Sequence, residues 1–244
     1  MRDSEEALIF QNVRKSFSGK VAVDGVSFSI KKGEIVALLG PNGSGKTTSL
    51  RIAAGLLTPE SGTVLVFGEP AGSEKARRMV SYLPEDAGIY DRLTGYENLL
   101  FYAMVFYGRS ERAENTAKLG AELTGLGEEI NRPAGVMSRG MKRRIALART
   151  LMLGTPLILL DEPTSGLDVF SAVEVRKSIM EHSRKTGASV LMSSHNMLEV
   201  ERLCDRAILM HKGKIVEEGK PQEIVEKYEA GDLEEAFVKA LRKR

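Results

Sequence analysis

Gly40-Pro41-Asn42-Gly43-Ser44-Gly45-Lys46-Thr47 fits the pattern G-x-x-x-x-G-K-[ST] in full. Glycines let such a loop curl until successive amide N–H groups point inward, and the helix that follows adds its positive N-terminal dipole. Both suit a chain of phosphates. Lys46 is placed to reach the β- and γ-phosphates of a bound ATP, and the Thr47 hydroxyl to ligate Mg²⁺, with Thr48 closing the stretch. A second signal stands far downstream, where the apolar run 157–160 ends in Asp161-Glu162. A buried strand that ends in carboxylates delivers them to the carboxyl edge of a sheet, beside such a loop. Asp161 is expected to hold the Mg²⁺ through water, and Glu162 to polarise the attacking water as general base. Alone, an acidic strand end is more often simply solvated. The glycine-rich loop turns the pair into a triphosphate site.

The elements that must position these residues are legible from periodicity. Residues 34–39 form an apolar run that suits a strand buried on both faces, and it feeds straight into the loop. A helix is expected over 49–57. Residues 21–30 alternate, with Asp24-Gly25 offering a turn, which predicts a short antiparallel region, and further strands are expected over 63–67 and 80–83. Between 84 and 135 the character changes. Thr94 and Glu97 form a capping box that opens a helix running to Tyr107, closed by Gly108, and a second helix begins near Ser110. The strand–helix alternation then resumes, with helices over 138–153 and 169–185, strands over 157–160 and 189–194, and a pair over 206–210 and 214–217 that turns at Lys212-Gly213. Terminal helices begin at Pro221 and near Asp232. The fold class is α/β: a P-loop NTPase core with a mostly parallel sheet, a small antiparallel β subdomain and an inserted helical subdomain.

Composition narrows the setting. The 244 residues are 42% apolar, enough for one good core. Thirty-five Lys and Arg against 33 Asp and Glu leave a net charge of +2, which gives no electrostatic case for a nucleic-acid partner. The basic tip Arg242, Lys243 and Arg244 is expected to be a solvated chain end. The single cysteine, Cys204, excludes an intrachain disulfide and is expected to be a small buried residue on a helix. Residues 1–6 are polar and acidic, without the apolar core of a signal peptide. The longest apolar run, residues 99–107, is far short of the roughly 20 residues that span a bilayer. A reduced, cytoplasmic protein is expected.

Three further motifs, in order with these two, resemble the ABC (ATP-binding cassette) ATPases. Met137-Ser138-Arg139-Gly140-Met141 stands where the family keeps its signature, Thr164-Ser165-Gly166-Leu167-Asp168 matches the D-loop, and Ser193-Ser194-His195 places the switch histidine at a strand end. Phe17 lies where the adenine-stacking aromatic is usual. The resemblance runs from about residue 7 to 225. It implies an ATP-binding domain over 1–225, with a helical subdomain inserted at about 86–137, and a C-terminal helical extension over 226–244. It also implies Mg²⁺-dependent ATP hydrolysis with His195 contacting the γ-phosphate. Two subunits, identical or paralogous, would stack head to tail, each ATP lying between one P-loop and the partner's Ser138, Gly140 and Asp168. Membrane-spanning permease subunits would be the further partners, placing the chain on the cytoplasmic face of the cell membrane.

Departures from the family pattern are informative. Arg139 replaces a glycine, Met141 a glutamine, and Glu85 the glutamine of the Q-loop, where it still offers an oxygen to Mg²⁺. Together they resemble the branch that serves ABC-2-type exporters. A soluble single-cassette ATPase, such as an iron–sulfur assembly ATPase, is the alternative. Tyr90, Tyr96, Phe101, Tyr102, Phe106 and Tyr107 supply six of the chain's 14 aromatics. Phe101 and Phe106 are expected inside the helical lobe, and Tyr90 and Tyr96 in an exposed groove that receives a permease helix.

Overall fold

Every residue of Ile35–Leu39 (β3), Leu157–Asp161 (β7) and Ser189–Ser194 (β8) is buried, as apolar strands covered on both faces must be. The computed structural model describes residues 5–242, so the polar start at 1–4 and the tip residues Lys243 and Arg244 lie outside it. With Val80–Leu83 (β6), Arg206–His211 (β9) and Lys214–Gly219 (β10), these strands build a six-stranded sheet in the order β10-β9-β3-β8-β7-β6. Only the β9–β10 pair is antiparallel. Leu39 pairs with Ser194 and Asp161 with Ser193, which brings the carboxyl ends of β3, β8 and β7 side by side.

The second sheet is antiparallel, in the order β2-β1-β4-β5, from Glu6–Phe17 (β1), Lys20–Lys31 (β2), Ser61–Val66 (β4) and Glu69–Pro70 (β5). β1 was not expected. Register shifts against β2, and Asn12 at φ 48°, break the alternation by which a strand is recognised.

Helices cover both faces of the parallel sheet, and alternation sorts the strands between two cores. Val36 and Leu38 face Lys46–Ala53 (α1) and the antiparallel sheet, packing with Leu50, Ile52 and Phe28. Ala37 and Leu39 face Arg139–Leu151 (α5) and Val169–Thr186 (α6), packing with Leu147, Val175 and Ile179. The helix expected over 49–57 starts three residues early, at Lys46, and stops at Ala53, with Gly55 in the left-handed region. Two short helices, Glu74–Arg78 (α2) and Met197–Leu203 (α7), carry too few residues for a period to be seen. Cys204 follows α7 rather than lying on it, and burial pushes its thiol pKa well up. Pro221–Lys227 (α8) and Leu233–Arg242 (α9) complete the chain, α9 burying Leu233, Ala236, Phe237 and Ala240.

Gly95–Tyr107 (α3) and Glu111–Thr124 (α4) form the helical lobe with one face of α5, around Leu99, Ala103, Ala117, Ile145 and Met152. Both halves of the Thr94/Glu97 capping box are made, at 3.1 and 2.7 Å. The expectation for Phe101 and Phe106 is overturned: they are 42% and 61% exposed. Leu99 and Ala103, one turn apart, fill the face of α3 turned to the lobe's core, and the two phenylalanines lie off that stripe. Among the described residues, no helix is long and apolar enough to cross a membrane.

The two sheets are fastened by Arg206, whose guanidinium donates to Glu34 Oε1 at 2.7 Å and Oε2 at 3.0 Å, and to the Ser29 carbonyl in β2. Burial raises the Glu34 carboxyl pKa, yet the bonds from Arg206 and the Lys31 amide outweigh it and hold it below the ordinary 4.5. A carboxyl with a depressed folded pKa stabilises above its unfolded value and loses that contribution as pH falls through the folded one. Glu34→Gln should therefore cost about 2 kcal/mol at neutral pH, the scale of a charge-assisted bond. Thermal melts of both proteins should converge as the pH is lowered below the ordinary 4.5 and through the depressed pKa of the folded Glu34.

Candidate active site

The loop between β3 and α1 is shaped by positions that only glycine fills. Gly45 precedes α1 at φ 107°, and a Cβ there would lie 2.5 Å from the Ala22 carbonyl oxygen. The helix therefore begins at Lys46, with its first free amides turned toward the loop. Lys46 is buried at 5% exposure and folds back, donating to the Gly40 carbonyl at 2.7 Å and the Pro41 carbonyl at 3.3 Å. Its ammonium also stands 3.6 Å from Glu162 Oε1.

Asp161, at the end of β7, is 1% exposed and gathers three hydroxyls from three elements. Ser193 donates to Oδ1 at 2.6 Å, Thr47 to Oδ1 at 3.0 Å, and Tyr82 to Oδ2 at 3.2 Å. Burial, with the Asp161 charge, pushes the Tyr82 pKa up to about 12, so the phenol keeps the proton it donates. Ser193 and Tyr82 were not assigned to the site by sequence reasoning. Both stood inside strands whose ends were recognised, and only the sheet order shows that they flank Asp161.

Glu162 adopts φ 47°, a left-handed conformation rare for its type. Its amide donates to Ser193 Oγ at 2.9 Å, and its carboxylate Oε2 meets His195 Nδ1 at 2.8 Å. A carboxylate in its ionised form only accepts, so with Glu162 ionised the proton of this contact lies on Nδ1. One carboxylate is thus bracketed by an ammonium and an imidazole. That arrangement can hold a water molecule and take its proton.

A cavity of about 280 Å³ is lined by Phe17, Asn42, Lys46, Thr47, Glu85 and Glu162 among others, while Asp161 and His195 reach it only through their contacts with Thr47 and Glu162. Phe17 is 46% exposed, with Lys15 Nζ over its ring at 5.6 Å from the ring centre. Ser138, Gly140 and Asp168 do not line the cavity. They form a group of their own. Ser138 Oγ caps α5 by accepting from the Met141 amide at 3.2 Å, and Asp168 caps α6 by accepting from the Ser171 amide at 3.0 Å. A Cβ on Gly140 would come within 2.2 Å of Ser171 Oγ, so this close approach of α5 and α6 requires glycine.

A groove of about 200 Å³ runs along the edge strand β6, lined by Tyr82, Tyr102, Phe106 and Arg149. Tyr90 is half exposed close by, its ring edge-on to Phe101 at 5.1 Å. The Asn98 side chain fixes its backbone from both sides, at 2.7 and 3.0 Å. Tyr96, expected in the same groove, instead packs part-buried against the helical lobe's core.

The chain is similar to known proteins. A family model described as ABC transporter matches residues 23–165, more than half of the chain. The Nod factor export ATP-binding protein I of Burkholderia lata is 37% identical over 233 residues, covering 93% of this chain and 75% of the relative. The linearmycin resistance ATP-binding protein LnrL of Bacillus subtilis is 35% identical over 243 residues, covering 95% and 78%. Among solved structures, the dimeric post-hydrolysis state of the ATP-binding cassette MJ0796, bound to ADP and Pi, matches with a TM-score of 0.78. Its identity is 26% over 87% of this chain and 98% of that one. With the family model over more than half of its length and relatives above 30% identity over most of both chains, the chain belongs to the ABC transporter family as an ATP-binding subunit.

Proposed function

We propose that the chain hydrolyses Mg²⁺-ATP and drives a membrane exporter, working as a head-to-tail dimer. The observation that carries the reading is the hydrogen-bonded chain Thr47–Asp161–Ser193–Glu162–His195, which joins the start of α1 to the strand ends β7 and β8. Thr47 and Glu85 line the cavity and Asp161 lies 3.0 Å behind Thr47, so the three offer the hard oxygens that suit Mg²⁺. The ion would supply charge neutralisation at the phosphates.

ATP would lie with its triphosphate along residues 40–48 and its adenine on Phe17. Lys46 would exchange its carbonyl partners for β- and γ-phosphate oxygens. Glu162 would accept the proton of the water attacking the γ-phosphorus, while His195 Nδ1 orients that carboxylate and Nε2 reaches the γ-phosphate. Ser138, Gly140 and Asp168 would act on the other subunit's nucleotide. That none of the three lines this subunit's own cavity supports the division, and the MJ0796 cassette bound to ADP and Pi is itself dimeric.

Export is supported by relatives named for Nod factor export and linearmycin resistance, together with Arg139, Met141 and Glu85. The same names weigh against a soluble iron–sulfur assembly ATPase. The permease would dock on Tyr90 and the groove beside it, holding the chain to the cytoplasmic face of the membrane. In domain terms, residues 1–225 would form the ATP-binding unit with 86–137 as its inserted lobe. The extension over 226–244 would begin within α8.

Glu162→Gln should keep ATP binding, lose turnover and trap a dimer in Mg²⁺-ATP, read by phosphate release and gel filtration. Near wild-type hydrolysis would remove the general-base assignment.

Lys46→Ala and Ser138→Arg should separate binding from assembly. The first should weaken equilibrium binding of a fluorescent ATP analogue to the monomer. The second should leave that binding unchanged and stop hydrolysis. Equal loss of affinity in both would contradict the head-to-tail arrangement.

Tyr90→Glu should leave ATP binding and melting temperature nearly unchanged, because half the ring is already in water. It should prevent co-purification with the permease. Unfolding of the isolated subunit would instead show the ring to be part of the core.

A further inference from the structure

Arg143 lies one turn inside α5 and is 8% exposed. Its guanidinium has five N–H groups, and each has a carbonyl acceptor. Nε donates to Pro163 at 2.9 Å, Nη1 to Pro84 at 3.0 Å and Glu85 at 2.9 Å, and Nη2 to Asp161 at 3.0 Å and Glu162 at 2.9 Å. Among the described residues it makes no ion pair with a carboxylate. Burial pulls its pKa below the ordinary arginine value, and the charges of Asp161 and Glu85 offset part of that.

A side chain that only fastened a helix to a sheet could take carbonyls from anywhere along the strands. These five come from two short stretches. Three belong to the end of β7 and the two residues beyond it, and two to the segment that leaves β6 for the helical lobe. Glu162 is the residue whose backbone most needs such a hold. At φ 47° it sits where non-glycine residues rarely rest, and such conformations persist only when the surroundings over-determine them. Its amide is pinned on Ser193 Oγ and its carbonyl on Arg143 Nη2. With both ends held, the side chain has one approach to Lys46 and His195.

We infer that Arg143 is a positioning residue: it fixes the backbone of Glu162, and it ties that backbone to the Glu85 segment, so the helical lobe and the base move as one. The inference rests on the reading of Glu162 as the base. A planar fork serves it where a point charge does not, because lysine brings three donors to a single spot.

Steady-state ATPase and equilibrium ATP binding of full-length Arg143→Met and Arg143→Lys test it. Arg143→Met should lose about 100-fold in kcat, the scale of a misplaced catalytic group, with KM and ATP affinity within about threefold of wild type. Arg143→Lys should recover part of the loss, to about tenfold below wild type. In the Glu162→Gln background, Arg143→Met should slow the residual single-turnover rate no further, since it acts through the group already removed. A kcat within threefold of wild type for Arg143→Met overturns the inference. So do kcat and KM shifting together, lysine doing no better than methionine, or additive losses in the double variant. If Arg143→Met does not fold, Arg143→Lys decides alone: its expected tenfold loss at unchanged affinity supports the inference, and wild-type turnover overturns it. A Glu162→Gln protein that hydrolyses ATP normally removes the base reading itself. An inactive Glu162→Gln beside a normal Arg143→Met removes only the positioning role.

Discussion

A carboxylate at 1% exposure must find donors, and the arrangement around Asp161 follows from that requirement. Along β7, Leu157, Leu159 and Asp161 alternate onto one face, the one covered by α1. Tyr82 pairs with Leu159 on one side, so its hydroxyl reaches the acid two residues on. Ser193 pairs with Asp161 on the other side. Thr47 descends from α1. Three bonds to a charged acceptor, each worth about 1.5–3 kcal/mol, fix the relative heights of β6, β7, β8 and α1. The loop that feeds α1 has no independent freedom after that. Its shape is set by where Thr47 must be.

The next residue shows the opposite solution. In a regular strand Glu162 would turn to the other face and away from Lys46. The left-handed backbone at Glu162 breaks the alternation and keeps both carboxylates at one edge of the sheet. Adjacent acids on a strand end are common in sequences. What distinguishes this pair is that its backbone is held from outside, by Ser193 on one side and Arg143 on the other.

Much of this was legible in the chain itself, and physical reasons separate the parts that were not. β3, β7 and β8 are buried on both faces, so their apolar runs announce them, and the P-loop and Asp161-Glu162 follow directly at their ends. β1 was hidden because its bulges disrupt alternation. α2 and α7 were hidden because five and seven residues are too few to show a helical period. The phenylalanines on α3 were misplaced because a run apolar all round does not say which face is covered. Phe17, Glu85 and His195 were placed by resemblance, and the first two line the cavity while the third meets Glu162. Ser193, Tyr82 and Arg143 act across elements distant in sequence, which no local pattern records.

The strand order has a consequence for how the molecule forms. β3 is completed at residue 39, yet both its neighbours arrive much later: Gly33, just before it, donates to Ser189, 156 residues on, and Ile35 to Asp205, 170 residues on. The β1–β2 hairpin and the α3–α4 pair close through nearby contacts and can form early. The central strand cannot. Loop closure of that span must precede any gain from pairing, which makes the parallel sheet the slow step. During synthesis at about 5–20 residues per second, the apolar run 35–39 waits at least several seconds for its strand partners β8 and β9. Over that interval both edges of β3 lack the strands that later pair with them, and unpaired edges are where other chains can add.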